Sequence, residues 1–227
     1  MSVATLDKPS PAVRKPRKRA PGRPLRGASD LRESLLDAAI ACFARKGIDG
    51  TSLRDIAAQG NVTPALLHYY FGDKTQLRQA MIEERLLPAI AALREPLAAA
   101  EDTADLIAAF VGGVGVIVAR HPWLPSLWVR EVLCEGGALR DVLFKAIGPQ
   151  VPQMMAKRFA QARTQGEINP DLDPRLLMVS LIGLTLFPAA AAPLWRRLFA
   201  ADDLDYEALR KHTLTLLDRG LELKHAR

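Results

Sequence analysis

Thr63-Pro64-Ala65-Leu66-Leu67-His68-Tyr69-Tyr70-Phe71-Gly72-Asp73-Lys74 is the stretch whose reading decides the fold. A hydroxyl residue followed by proline is a strong helix start. The side-chain oxygen satisfies a free N–H of the first turn, and proline's fixed φ suits the first helical position. Gly72 interrupts the pattern, and Asp73 with Gln76 three residues later caps a further helix in capping-box spacing. The spacing predicts a helix from Pro64 to about Tyr70. The next runs through Leu77, Met81 and Leu86 and should kink at Pro88. Upstream, Gly60-Asn61-Val62 separates this unit from a short helix that starts at Thr51 or Ser52, buries Leu53, Ile56 and Ala57, and has Asp55 in its first turn. Before that, Ser29 or Asp30 can cap a longer helix, with Glu33 in capping-box position. Leu35, Leu36, Ala39, Ile40 and Phe43 form its apolar stripe and Gly47 ends it. Two short helices joined by a tight Gly-containing turn, buttressed by longer helices on both sides, make a helix-turn-helix unit.

Leu67-His68-Tyr69-Tyr70-Phe71-Gly72-Asp73-Lys74, with Thr51-Ser52-Leu53-Arg54-Asp55-Ile56-Ala57 before it, resembles the N-terminal domain of the tetracycline-repressor (TetR) family of bacterial transcription regulators. The resemblance covers about residues 30 to 78. It implies an all-α chain in three parts: a basic N-terminal arm (1–28), a three-helix DNA-binding domain (29–79) and a helical effector-binding and dimerisation domain (80–227). In such a domain the third helix lies in the major groove of double-stranded DNA while its neighbours grip phosphates. Thr51, Ser52 and Thr63 then stand at helix N-termini, where free N–H groups favour a phosphate. His68 and Tyr69 project from the end of the recognition helix, and Lys74 opens the next as a point charge. Ala65 and Leu66 can meet thymine methyl groups. Each has a packing or capping alternative, and Tyr70 and Phe71 are assigned to packing. Base readout is sparse, because no Arg, Lys, Asn or Gln in that helix can make a bidentate base contact.

The charge is distributed unevenly. Residues 1 to 28 carry eight basic residues against Asp7, whereas the remainder is close to neutral despite the overall +6. From Ser29 to Gln79 six basic residues meet six acidic ones. Electrostatic affinity for a polyanion must therefore lean on the arm, which is rich in proline, poor in large apolar residues and expected to be disordered alone. Within it, Lys18-Arg19-Ala20-Pro21-Gly22-Arg23-Pro24 resembles the Gly-Arg-Pro core of an AT-hook, which would place Arg23 in a minor groove. The alternative is a generic basic tail that touches phosphates.

Downstream the pattern stays helical. A helix from Thr103 to Arg120 contains Gly112, Gly113 and Gly115, which signals close packing or space for a ligand. Phe110, Trp123, Trp128, Phe144 and Phe159 are candidates to line an apolar effector pocket, with His121, Arg130 or Glu131 as polar anchors. Gly166-Glu167-Ile168-Asn169-Pro170-Asp171-Leu172-Asp173-Pro174 is similar to the loop that often precedes the first dimerisation helix in the family. Two segments answer to that homodimer interface. One runs from Pro174 to about Ala191, capped by Asp173. The other spans about Leu204 to Leu223, with Leu209, Leu216 and Leu217 on one side. Leu176 to Trp195 carries no charge and approaches membrane-spanning length, but Pro188 and Pro193 favour a helix buried in a core or an interface.

Other functional classes lack their signatures. The four histidines form no His-Glu-x-x-His, and no Gly-x-Ser-x-Gly or P-loop is present. The glycine run at 112 to 115 follows no strand, so neither an enzyme nor a cofactor is expected. Cys42 and Cys134 suggest neither a disulfide framework nor a metal site, and the charged N-terminus is no secretory signal, which makes the cytoplasm the natural compartment. The expected function is a ligand-responsive repressor of transcription, released from a palindromic operator by a small, largely apolar effector. The alternative is an effector-independent architectural protein that bends or coats A·T-rich DNA.

Overall fold

A computed structural model of the chain describes residues 28–221, in which helices are joined by short turns and no strand occurs. The basic arm, and with it Arg23, lies outside the described residues.

Helix α1 (Ala28–Lys46) starts slightly earlier than expected. Asp30 therefore sits in its first turn rather than at its cap, and the expected capping box with Glu33 does not form. Its stripe of Leu35, Leu36, Ala39, Ile40 and Phe43 is buried, each large side chain worth about 1.5–3 kcal/mol of transfer free energy. Gly47, at φ +83°, ends it and donates to the Phe43 carbonyl. Helices α2 (Leu53–Gln59) and α3 (Pro64–Phe71) follow, joined by a turn in which Asn61 adopts a left-handed conformation. Ser52 and Thr63 cap them as their spacing predicts. Leu67 and Phe71 of α3 turn inward onto Ile56 and the α1 stripe.

Helix α4 (Lys74–Met81) opens with the Asp73–Gln76 capping box. It continues through a π-helical turn at Ile82–Leu86 into α5 (Leu87–Ala91). Pro88 falls in the first turn of α5, at the position where the sequence predicts a kink. The Leu87 N–H bonds back to the Ile82 carbonyl, and this wider turn just before the proline spreads the disturbance over several residues. Short α6 (Arg94–Ala99) leads to α7 (Thr103–Arg120), the central helix of the larger half. Helices α10 (Val151–Thr164), α11 (Pro174–Ala190) and α13 (Tyr206–Leu221) pack on it, and α8 (Leu124–Trp128) with a π-helical turn at Val129–Leu133, α9 (Arg140–Val142) and α12 (Ala192–Phe199) complete this half.

The glycines of α7 fulfil the close-packing alternative at two positions. At Gly115 a Cβ would fall inside the Tyr206 ring, whose hydroxyl donates to the Val111 carbonyl at 2.5 Å and locks α13 onto α7. Gly113 admits the Leu93 side chain, whereas Gly112 faces open space. By length and hydropathy α7 could cross a membrane, yet Leu106, Phe110, Val111, Val114 and Ile117 are buried against neighbouring helices. The charge-free stretch from Leu176 to Trp195 is not one helix, since α11 and α12 meet at a 72° bend.

Candidate functional site

Helix α3 presents Ala65, His68 and Tyr69 to solvent, and Leu66 is half-buried beside them. Tyr69 is 79% exposed, with its ring edge-on to Tyr70 at 5.3 Å between centroids. An aromatic side chain that gains almost nothing from its own protomer is free for a partner surface. The His68 Nδ1 lies 2.8 Å from the Gly72 carbonyl. A carbonyl only accepts, so Nδ1 carries the hydrogen and the outward Nε2 of the neutral ring is an acceptor. Such a nitrogen suits an exocyclic amino group of cytosine or adenine; toward a phosphate it is useful only when protonated.

Lys74 donates to the Asp49 carbonyl at 3.0 Å, which pins its ammonium beside the turn before α2. Thr63 accepts from the Leu66 N–H at 3.3 Å and remains exposed. Ser52 is exposed but committed. Its hydroxyl donates to Asp55 Oδ2 at 2.5 Å and accepts from the Asp55 N–H at 3.1 Å. Lys46 bonds the same carboxylate at 2.5 Å, and together with Ser52 holds its pKa well below the usual carboxylate range. Thr51 departs from the expected set. It is 1% exposed and its hydroxyl donates to the Gly47 carbonyl at 2.6 Å, so it fastens the end of α1 and does not reach outward. Both hydroxyls stand where the sequence puts an N-cap, and only side-chain direction separates them.

The larger half has an apolar cavity of about 70 Å³ lined by residues of α7, α8, α10 and α11 together with Ile90 and Leu93. Of the expected lining residues, Phe110 and Trp128 are present. Phe159 is fully buried in packing and Phe144 is exposed. Trp123 packs near His121, centroids 5.5 Å apart, and His121 borders a separate groove with Arg85 and Arg120. There burial, reinforced by the Arg120 and Arg85 charges, lowers the His121 pKa. Arg130 is exposed.

Glu131 is buried but does not line the cavity. Its Oε1 accepts the Ile48 N–H at 2.8 Å and its Oε2 the Ala138 N–H at 3.0 Å. It ties the turn after α8 to the end of α1, less than one helical turn beyond Trp128. A second tie lies at the π-helical turn of α4, where Arg32 makes a bidentate pair with Glu84, both contacts 2.6 Å, and stacks over Phe71 at 4.8 Å. Arg85 reaches Asp37 at 3.4 Å. Sequence reasoning missed both ties because their partners lie 83 and 52 residues apart, beyond any helical periodicity.

The face of α11 formed by Leu176, Val179, Ser180, Gly183 and Phe187 is exposed. On α13 the three leucines expected on one side divide: Leu217 enters the protomer core, Leu216 points outward and Leu209 is half-buried. Adjacent helical positions differ by about 100°, so 216 and 217 cannot both serve one surface fully. Helix α12, with exposed Leu194, Leu198 and Phe199, was not expected at all. Its signal was Pro193 at the first turn, followed by apolar positions 194, 195 and 198 around Arg196 and Arg197.

The model of bacterial regulatory proteins of the tetR family matches residues 35–81, which span the α1 stripe, both short helices and α4. Residues 35–81 thus carry the DNA-binding domain of the tetR family of bacterial regulatory proteins. Among its tetR-family relatives, the HTH-type transcriptional regulator UidR of Escherichia coli is 25% identical over 160 residues, covering 70% of this chain and 79% of UidR. The nicotine-responsive transcriptional repressor HdnoR of Paenarthrobacter nicotinovorans is 34% identical over 73 residues, 32% of this chain and 38% of HdnoR. The regulator FadR of Bacillus subtilis, solved in complex with stearoyl-CoA, superposes with a TM-score of 0.62 at 20% identity, covering 83% of this chain and 98% of FadR. With that domain, the chain is a DNA-binding transcriptional regulator.

Proposed function

We propose that this chain is a cytoplasmic homodimeric repressor, without enzymatic activity or cofactor, that leaves a palindromic operator when a small, largely apolar effector enters the central cavity. Thr63, Ala65, Leu66, His68, Tyr69 and Lys74 form the DNA surface. Ser52 lies at its edge, and the arm supplies charge and, through Arg23, a minor-groove contact. Thr51 supports the surface from within. The larger half, residues 80–227, carries the cavity and the dimer contacts. The observation that carries the effector reading is the placement of Glu131. The helical segment that lines the cavity with Leu124 and Trp128 continues into the turn whose carboxylate holds the end of α1. Displacement of the cavity wall therefore pulls on the DNA-binding half through a buried charged hydrogen bond, the stronger kind.

Glu131→Gln tests the transmission. A carboxylate accepts on both oxygens, whereas a glutamine turns an NH2 toward one of the two N–H donors and leaves it unpaired, costing about 1–3 kcal/mol. Thermal unfolding should fall by several degrees. Operator release by a cavity-binding compound, found by thermal shift among small apolar molecules, should be lost while binding of that compound persists. A variant that melts earlier yet still releases operator normally would remove Glu131 from the pathway.

The surface contacts are separable by their dependence on sequence. Lys74→Ala should weaken binding to operator and random DNA by similar factors and flatten the salt dependence by about one unit per subunit. His68→Ala should instead weaken operator binding alone, because the outward nitrogen is an acceptor that suits a base amino group. Equal loss on both DNAs, measured by fluorescence anisotropy, would make His68 another phosphate contact.

A further inference from the structure

A groove of about 340 Å³ opens between the π-helical turn, α5 and α6 on one side and α7 on the other. Its walls run antiparallel: Leu93 packs against Gly113 at one end, and the Arg85 charge bears on His121 at the other. Pro88, Ala89 and the half-exposed Val116 make the length between them apolar. Arg85, Arg120 and His121 gather at the second end, where burial and the two arginine charges lower the His121 pKa. Little in the fold offsets that positive charge. Arg120 is exposed and has no ion pair or hydrogen bond among the described residues. Arg85 reaches the carboxylates of Asp37 at 3.4 Å and Glu33 at 3.9 Å, both long for a charged contact. Glu84 is the only carboxylate that lines the groove, and both its oxygens are taken by Arg32.

We propose that this groove is a second ligand site, distinct from the central cavity, that takes an amphipathic carboxylate, with the hydrocarbon chain along α7 and the carboxylate between Arg85 and Arg120. Guanidinium groups match a carboxylate with paired donors and bring full charge to it. From Gly113 to Arg120 helix α7 rises about 10 Å, which gives the chain its length of apolar wall. A free inorganic anion would leave that wall uncovered, and a neutral molecule of the same shape would leave the two guanidinium charges unanswered. The site stands whether or not the central cavity holds an effector, although Ile117 borders both. Occupancy reaches the DNA-binding half through Arg85. That side chain joins the π-helical turn to α1 by way of Asp37 and Glu33, and a carboxylate that captures it competes with those contacts. The hold on α1 then loosens and operator binding weakens.

Octanoate, 1-octanol and acetate separate the contribution of the charge from that of the chain. Each is titrated into the full-length protein, with binding followed by calorimetry and by the ring-proton resonances of His121 between about pH 5 and 8. Octanoate is expected to bind about tenfold more tightly than either octanol or acetate. It should also raise the His121 pKa, because its carboxylate favours the imidazolium that Arg85 and Arg120 disfavour. Arg120→Gln removes the charge of an exposed side chain without a partner in the fold, so the variant should melt as the native protein does. It should bring octanoate down to the octanol level and leave octanol itself unchanged. Octanoate should weaken operator binding several-fold in the native protein, read by fluorescence anisotropy, and leave that of Arg120→Gln unaltered. Equal binding of octanoate and octanol, octanoate binding undiminished by Arg120→Gln, or an unmoved His121 pKa would overturn the groove site and leave the central cavity as an effector site. No binding of octanoate at millimolar concentration would do the same. Octanoate that binds through Arg120 without changing operator affinity would overturn the coupling through Arg85.

Discussion

The double substitution Leu176→Asp, Val179→Asp should convert the protein to a monomer of 24.8 kDa and lower its affinity for operator by about 100- to 10,000-fold, the range by which paired sites exceed single ones. Both side chains are more than 60% exposed on the outward face of α11, so aspartate at these positions leaves the protomer core intact. The circular dichroism spectrum should be unchanged. In the proposed dimer the same positions are covered by a second copy, together with Phe187 and, on α13, Leu216. Two buried carboxylates per subunit without counter-charge would not be tolerated there. Exposed apolar side chains on α11 and α13, with Leu194, Leu198 and Phe199 on α12, are the kind of surface that a partner covers. Sedimentation or light scattering at micromolar concentration should give twice 24.8 kDa for the native chain and once for the variant. A native monomer, or a variant that remains dimeric and binds operator normally, would place the interface elsewhere.

Deletion of residues 1–26 should have the next largest effect. That segment holds eight basic residues and one acidic, and α1 begins only at Ala28, so its removal spares the first helix. The DNA-binding half behind it is electrically neutral and several of its charges are already engaged, Lys46 by Asp55 and Arg32 by Glu84. Every phosphate that the deletion leaves without a cationic partner should flatten the slope of log K against log salt by about 0.9. If about three arm charges per subunit meet phosphates, a dimer's slope becomes shallower by about five, and affinity at low salt falls by about 100-fold or more. The melting temperature should not move. Arg23→Ala alone should cost more on an operator flanked by A·T tracts than on one flanked by G·C, if the Gly22-Arg23-Pro24 segment enters a narrow minor groove. An unchanged salt slope after deletion would mean that the arm does not touch DNA.

The DNA-binding half was legible in the sequence because its boundaries are set by local chemistry. Ser52, Thr63 and Asp73 cap the helices that their spacing announces, and Gly47 and Gly72 end those before them with positive φ. The larger half was legible as helices and less so as a site. Phe110 and Trp128 reach the cavity while Phe144 and Phe159 do not, and helical spacing gives no rule for which aromatic faces a void and which fills it. The sequence offers Glu131 as a polar anchor for a ligand, whereas in the fold its carboxylate anchors the Ile48 and Ala138 N–H groups. A buried carboxylate looks alike in sequence whether it serves a ligand or two N–H groups. Leu216 and Leu217 show the same limit at an interface, where one residue of helical phase separates the protomer's core from its surface.

Regulation by this protein depends on a dimer that reads one palindrome. Fragmented DNA from the source genome, captured by the purified full-length protein and sequenced, tests this without assuming an operator or an effector. Enrichment of fragments sharing one inverted repeat is expected, with half-site centres separated by about one helical turn or a multiple of it. Capture of A·T-rich fragments with no common sequence would contradict the dimeric reader and favour a protein that coats or bends DNA.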